Sequence, residues 1–424
     1  MSKPTTQPDW RPLIDSYLAP YRDGIATAQI DRAEQWAAST SGYSSPGSWR
    51  AKLVNGTLWV KPIHLHFEWM ERASVLRALL LALRSVATPL PDLDFVYVSA
   101  DVDPTPRRRR RRRCLSRSAK CALPTAPMPV MTNARARHGS EALPLPEFSW
   151  LGQKSHTKPW CQLHPTLARA AAARPWQSRD VRGYFSGSLS TGVSRQELRR
   201  LGSLNPSAIE VRDTGFEASG EVSRQERDRA NRTAQAAGLL SQTLDPAHAC
   251  SFRHLLSIPG FGYASRLRQL LACGSVVVHV EHDSEEFYSP LLLNGTHLLR
   301  LPGGGGTGGG RLATQSVKER LLPMLRQLRA DQRLTRVCIC MRTHVCICMR
   351  TRGSHVYAYA SSYVHASAHV HALNALAETC ALCVAQVRTS RRALESRAPR
   401  PSLLAVGSHG VLCWSTRPPC CAGR

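Results

Sequence analysis

The chain has 424 residues, enough for two domains. Lysine and arginine number 56 against 30 acidic residues, a formal net charge of +26 that by itself points to nucleic acid or an anionic membrane. Much of the excess is local, in the unbroken run Arg107–Arg113 and an acid-poor last hundred residues, and no interleaving of basic and aromatic residues speaks for single-strand binding.

In chain order, residues 11–38 carry Leu13, Ile14, Tyr17, Leu18, Ile25 and Ile30 at helical spacing. Leu53–Val60 reads as a hairpin turning at Asn55-Gly56. A helix is expected from about Glu71 to Val86. Its apolar run, 75–83, is too short and too arginine-flanked to span a bilayer. The polar start, MSKPTTQPDW, shows no signal peptide. Phe95–Ser99 reads as a buried strand with Asp101 at its carboxyl end, where open α/β sheets bind ligands. Residues 107–126 form a basic insertion, read as unstructured rather than as a nucleic-acid patch. Pro165–Ala173 reads as a short helix. Val181–Gly187 follows as a strand, then the small-residue loop Ser188–Gly192, then a helix opening at Ser194-Arg195. Strand, small-residue loop and helix form a geometry suited to cradling phosphate.

Residues 251–288 hold the densest pattern. His254–Ile258 reads as a buried strand and Pro259-Gly260-Phe261-Gly262 as a tight turn. A helix starts near Ser265-Arg266, and Val276–Val280 is a β-branched run suited to a parallel strand. A helix start beside an arginine is an anion site on physical grounds. An ordinary βαβ unit with a surface arginine has the same pattern.

The last part is irregular. Residues 303–310, GGGGTGGG, read as a flexible linker. Gln315–Leu334 has the period of one amphipathic helix, through Val317, Leu321, Leu322, Leu325 and Leu328. The fold is nevertheless expected to do without residues from 313 onward. Nine of the 14 cysteines follow residue 337, and VCICMRTH is repeated almost unchanged as VCICMRTR. The Cys-x-Cys spacing is not that of a zinc knuckle. The residues alternate between the two codon classes that a purine–pyrimidine repeat would encode, so the tail reads as translated simple-repeat DNA. The five upstream cysteines announce no disulfide framework. Asn55, Asn231 and Asn294 head glycosylation-type triplets, a weak sign of a secretory lumen.

Gly260, Ser265-Arg266-Leu267, Leu270-Leu271, Ser275-Val276-Val277 and Glu286-Phe287-Tyr288 together resemble the protein O-glucosyltransferase and capsule-associated family, glycosyltransferase family 90. Leu90-Pro91-Asp92 before the Asp101 strand and the Gly183–Ser188 segment resemble it as well. The family's arginine before Gly-Ser is Ser186 here.

The resemblance implies an α/β fold of two Rossmann-like lobes in the GT-B arrangement, with a disordered tail. An acceptor-side lobe is expected over 8–164 and a UDP-sugar lobe over 165–302, with linker and tail over 303–424. The implied reaction moves a glucose- or xylose-type sugar, with inversion, from a UDP-sugar to a hydroxyl of a protein or glycan. Asp101 is the implied base. Ser188, Arg195, Gly262, Tyr263, Ala264, Ser265, Arg266 and Glu286 are the implied donor-binding residues. No metal or other cofactor is expected, nor nucleic acid or a membrane span as partner. The implied location is the endoplasmic reticulum or Golgi lumen. An inactive relative, or a basic nucleic-acid-binding protein, stands as the alternative.

Overall fold

A computed structural model describes residues 11–39, 47–65, 72–86, 92–101, 103, 127–152, 158–214, 245–304, 310–330, 350–352 and 355–357. The arginine run with its insertion, the Asn231 triplet and most of the linker and cysteine-rich repeat lie outside the described residues. The architecture is mixed α/β and divides into two compact units, one ending at Leu151 and one beginning at Gly152.

In the first unit, α1 (Arg11–Leu18) and α2 (Thr27–Ser39) precede the hairpin of β1 (Gly47–Val54) and β2 (Thr57–Leu65). Asn55 and Gly56 both take positive φ, 50° and 74°, as a two-residue hairpin turn of the primed type requires. There follow α3 (Ser74–Val86), β3 (Leu93–Ser99), β4 (Val130–Thr132), the short β5 (Arg135–Ala136) and β6 (Leu143–Pro144). The sheet runs β2-β1-β3-β4-β6. β1 is antiparallel to β2 and β3, while β3, β4 and β6 are parallel. Val96, Tyr97 and Val98 in β3 are wholly buried, as expected of a central strand covered on both faces.

The second unit contains α4 (Trp160–Ala172), β7 (Asp180–Gly187), α5 (Val193–Leu204), β8 (Ile209–Asp213), β9 (Phe252–Ser257), α6 (Leu267–Leu271), β10 (Val276–Val280) and β11 (Leu299–Leu301). α4 starts at Trp160, not Pro165, and runs through that proline, whose missing N–H removes one hydrogen bond from the helix. The five strands are all parallel, in the order β11-β10-β9-β7-β8. The chain therefore builds the sheet outward from β7 to β8, then crosses back to add β9, β10 and β11 on the other side.

Beyond the glycines, α7 (Arg311–Ser316), a π-helical turn (Val317–Leu321) and α8 (Leu322–Ala330) form one continuous helical run. Its apolar face packs into this unit's core. Ala313, Val317, Leu321 and Leu325 have no exposed surface and join the cluster of Phe185, Leu198, Leu256 and Val278. Arg329 fastens the far end, donating to the carbonyls of Val181 (3.1 Å), Ser207 (2.9 Å) and Ala208 (3.0 Å). The expectation that residues from 313 onward are dispensable does not hold for 313–330. The helical period of their leucines is spent on the core.

Cys250 and Cys273, read as unremarkable in the sequence, form a disulfide, and neither has exposed surface. One precedes β9 and the other precedes β10, so the parallel pairing of those strands brings the two together. Among the described residues no helix is long and apolar enough to cross a membrane.

Candidate functional site

In an open parallel sheet, the strand order reverses at one point, and the loops leaving the carboxyl ends of the two flanking strands diverge there to form a crevice. In the second unit that point lies between β7 and β9. The loops concerned are Ser188–Gly192 and Ile258–Arg266, the two stretches that hold most of the expected donor-binding residues.

Arg195, in the first turn of α5, is buried and holds these loops together. Its Nε and Nη2 both donate to the Ile258 carbonyl, at 3.1 and 3.0 Å. Its Nη1 donates to the Ser188 carbonyl at 3.0 Å and to Thr191 Oγ1 at 2.6 Å. Arg266 precedes α6. The guanidinium carbons of Arg195 and Arg266 lie 5.6 and 5.9 Å from the centre of the Phe185 ring. Among the described residues, no carboxylate forms an ion pair with either one. Burial pulls the Arg195 guanidinium down to about 9, with the charge of Arg266 as the next cause, and burial pulls Arg266 down to about 10. Both stay charged at neutral pH. Arg195 is buried and Arg266 half-buried, and the carboxylate that acts on the pair is Asp213, whose charge opposes in part the lowering of Arg195.

Two glycines make room for them. A Cβ on Gly187 would meet Arg266 Nη2 at 2.2 Å, and one on Gly260 would meet Thr191 Oγ1 at 2.9 Å and the Arg195 guanidinium at 3.1 Å. Neither glycine needs a left-handed backbone. The constraint is space beside an arginine.

Ser188 is buried, with its hydroxyl 3.0 Å from that of Ser190. The Leu189 amide donates to Asp213 Oδ1 at 3.1 Å, tying the loop to the end of β8. Gly262 and Ala264 are buried, and Tyr263 and Ser265 are half-buried. The expected helix start at Ser265 is a turn. α6 spans five residues from Leu267, whose amide already donates to the Ala264 carbonyl at 2.8 Å, so little helix dipole is available for a phosphate. Glu286 is buried and accepts from the Tyr288 hydroxyl at 2.7 Å. Its other oxygen is 3.9 Å from Arg268, whose guanidinium donates to the Ser265 carbonyl at 2.9 Å. Glu286 thus reaches the Ser265-Arg266 turn through Arg268.

In the first unit, Asp101 lies two residues beyond β3 with half its side chain exposed. Its Oδ1 accepts from Arg72 Nη1 at 3.2 Å. Asp103, two residues on, accepts from the Ala136 amide at 2.7 Å. Behind them lies a buried polar chain. The Tyr97 hydroxyl, which burial keeps protonated, donates to Asn133 Oδ1 at 2.7 Å, and Asn133 Nδ2 donates to Ser99 Oγ at 3.0 Å.

Sequence reasoning missed Arg72, Asn133 and Arg268. None sits in a glycine motif or at a strand end with an obvious chemical role, and a lone arginine beside a helix reads as surface. Among the described residues, no group of three or more His, Cys, Asp or Glu is placed to hold a metal.

The second unit is thus a parallel α/β sheet with two arginines at its reversal point. The chain belongs to glycosyl transferase family 90, whose family model matches residues 2–302. It is 27% identical to protein O-glucosyltransferase 1 of Mus musculus over 140 residues, covering 33% of each chain. It is 26% identical to the Homo sapiens protein of the same name over 140 residues, again 33% of each. It is also 27% identical to O-glucosyltransferase rumi of Drosophila melanogaster over 142 residues, 34% of this chain and 32% of that one. The alignments cover about a third of the length of these curated relatives.

Proposed function

We propose that this protein is a GT-B type glycosyltransferase that moves a glucose- or xylose-type sugar from a UDP-sugar to a hydroxyl of a protein or glycan, with inversion at the anomeric carbon. The observation that carries this reading is the pair Arg195 and Arg266 at the reversal point of the parallel sheet, two cations beside a single carboxylate, Asp213, among the described residues. It supports binding of a diphosphate, and family membership supports a sugar donor. The relatives are named as O-glucosyltransferases, which supports a protein acceptor.

In this reading Arg266 faces the diphosphate, and Ser188 with the turn Gly262-Tyr263-Ala264-Ser265 lines the donor. Arg195 and Glu286 hold those loops in place. Asp101 acts as the base. The acceptor O–H proton passes to its second carboxylate oxygen, the one not bonded to Arg72, while the acceptor oxygen bonds to the anomeric carbon. The bond from that carbon to the diphosphate breaks, and UDP leaves with the electron pair. The two guanidinium groups stabilise the leaving charge, so the reading invokes no metal or other cofactor. A buried disulfide supports an oxidising compartment such as the endoplasmic reticulum or Golgi lumen.

A second reading is an inactive relative that still binds the donor. Ser186 favours it, since it stands where the family carries an arginine.

Both readings predict that UDP-glucose and UDP-xylose raise the melting temperature of the full chain more than ADP-glucose or GDP-mannose does, by mass action on the folded state. Equal shifts from all four would remove the donor assignment. UDP release from UDP-glucose, with water as the hydroxyl acceptor, separates the active reading from the inactive one.

A further inference from the structure

We infer that Arg72 is the positioning residue of the proposed base, holding Asp101 by one carboxylate oxygen so that the other is left for the acceptor proton. The inference rests on the reading of Asp101 as base.

Arg72 is 3% exposed, and its guanidinium carbon lies 4.4 Å from the centre of the Phe148 ring. One Nη1–H points to Ser99 Oγ at 3.4 Å and the other to Asp101 Oδ1 at 3.2 Å. Ser99 is itself held by Asn133, and Asn133 by Tyr97, all three buried. The guanidinium is therefore fixed by an aromatic face and by a chain of hydrogen bonds that begins inside β3. Asp101 has neither support. It lies in a bend beyond the strand with half its side chain in solvent, and an exposed aspartate samples several rotamers. The bond from Arg72 selects one of them. Among the described residues Oδ2 makes no contact that would compete for a proton. A surface ion pair contributes little to stability. A pair with one partner buried and immobile is better suited to setting geometry, and a misplacement of about 1 Å at a reacting group costs on the order of 10²-fold in rate.

The test uses the full chain, with UDP release from UDP-glucose as the readout and water as acceptor. Four proteins are compared: wild type, Arg72→Met, Asp101→Asn and the double variant. Methionine keeps an apolar stem over Phe148 and removes the donor. Arg72→Met is expected to lower kcat on the order of 10²-fold while KM for UDP-glucose changes less than twofold. The double variant is expected to be no slower than Asp101→Asn alone, because Arg72 acts only through that carboxylate. Multiplied losses in the double variant, or a raised KM with kcat intact, overturn the inference. If Asp101→Asn abolishes release and Arg72→Met leaves kcat unchanged, the inference fails and the base assignment stands. If Asp101→Asn leaves release intact, the base assignment itself fails. Should Arg72→Met not fold, Arg72→Lys replaces it. Lysine keeps the charge, but its nitrogen ends one bond short of Nη1 and it lacks the planar face that stacks on Phe148, so a lowered kcat, again without a further loss on Asp101→Asn, is expected. Wild-type kcat in Arg72→Lys overturns the inference.

Discussion

Gly187 and Arg266 touch so closely that a methyl group on the glycine would meet the guanidinium at 2.2 Å. The far end of an arginine moves more readily than backbone. The same methyl would meet the buried Phe185 ring at 2.8 Å, so Gly187→Ala is expected to displace both side chains, to weaken UDP binding about tenfold and to lower the melting temperature. Calorimetric titration of UDP checks this. Affinity equal to wild type would mean that the position of Arg266 does not matter to the nucleotide.

The two arginines should fail differently. Arg266→Ala removes a charge with no bond to the fold among the described residues, and a charge-assisted bond to phosphate is worth about 1.5–3 kcal/mol. UDP affinity should fall tenfold or more with stability retained. Arg195→Met leaves the Ile258 and Ser188 carbonyls without their donor, and a loss on the order of 3 kcal/mol of stability should accompany the loss of binding. Denaturant melts beside UDP titrations separate the two. Arg195→Met with wild-type stability and Arg266→Ala with a collapsed fold would reverse the assignment.

Ending the chain after Gly310 should destabilise the second unit severely. The helical run buries Val317, Leu321 and Leu325 completely, and each such side chain contributes roughly 1.5–3 kcal/mol by burial. Soluble yield and a thermal melt check this. A truncated protein that melts at the wild-type temperature would show that the packing of 311–330 is not part of the core's stability.

His254 predicts how stability responds to acid. It is buried in β9, beside β7, with Nδ1 2.9 Å from the Val181 carbonyl. Burial holds its pKa below the ordinary histidine value, and the bond to Val181 opposes that only in part. In the unfolded chain the ring takes a proton near pH 6.5, and in the folded chain only at lower pH. Over that window the unfolded state binds more protons, so stability is full above about pH 6.5 and falls as the pH drops below it. His254→Gln should flatten the fall in melting temperature between pH 7 and pH 5. An unchanged slope would assign the acid sensitivity to other groups.

Much of the local structure was legible in the sequence because it rests on short-range regularities. Asn55-Gly56 specified a hairpin turn through the positive φ that both residues tolerate. Val276–Val280 read as a buried parallel strand from β-branching alone. The leucines of 315–334 carried a helical period, although the glycines before them suggested a detached tail. The order of strand, glycine turn, helix and strand over 254–280 was likewise visible, and so was the position of Asp101 past the end of its strand.

Partnerships were not legible, because they join residues far apart in the chain through the order of strands in a sheet. Nothing local marks Arg195 as the residue that binds the Ile258 carbonyl 63 positions on. That contact exists because β9 crosses back to lie beside β7. The same pairing logic brought Cys250 to Cys273 by placing β9 beside β10. Gly187 read as the end of a strand, and only the tertiary structure showed an arginine filling the space of its absent side chain. Asp101 was identifiable from its place on a strand, but Arg72, which holds it, was not. A lone arginine carries no periodic signal, and its burial depends on Phe148, Ser99 and Asn133, which the sheet assembles around it.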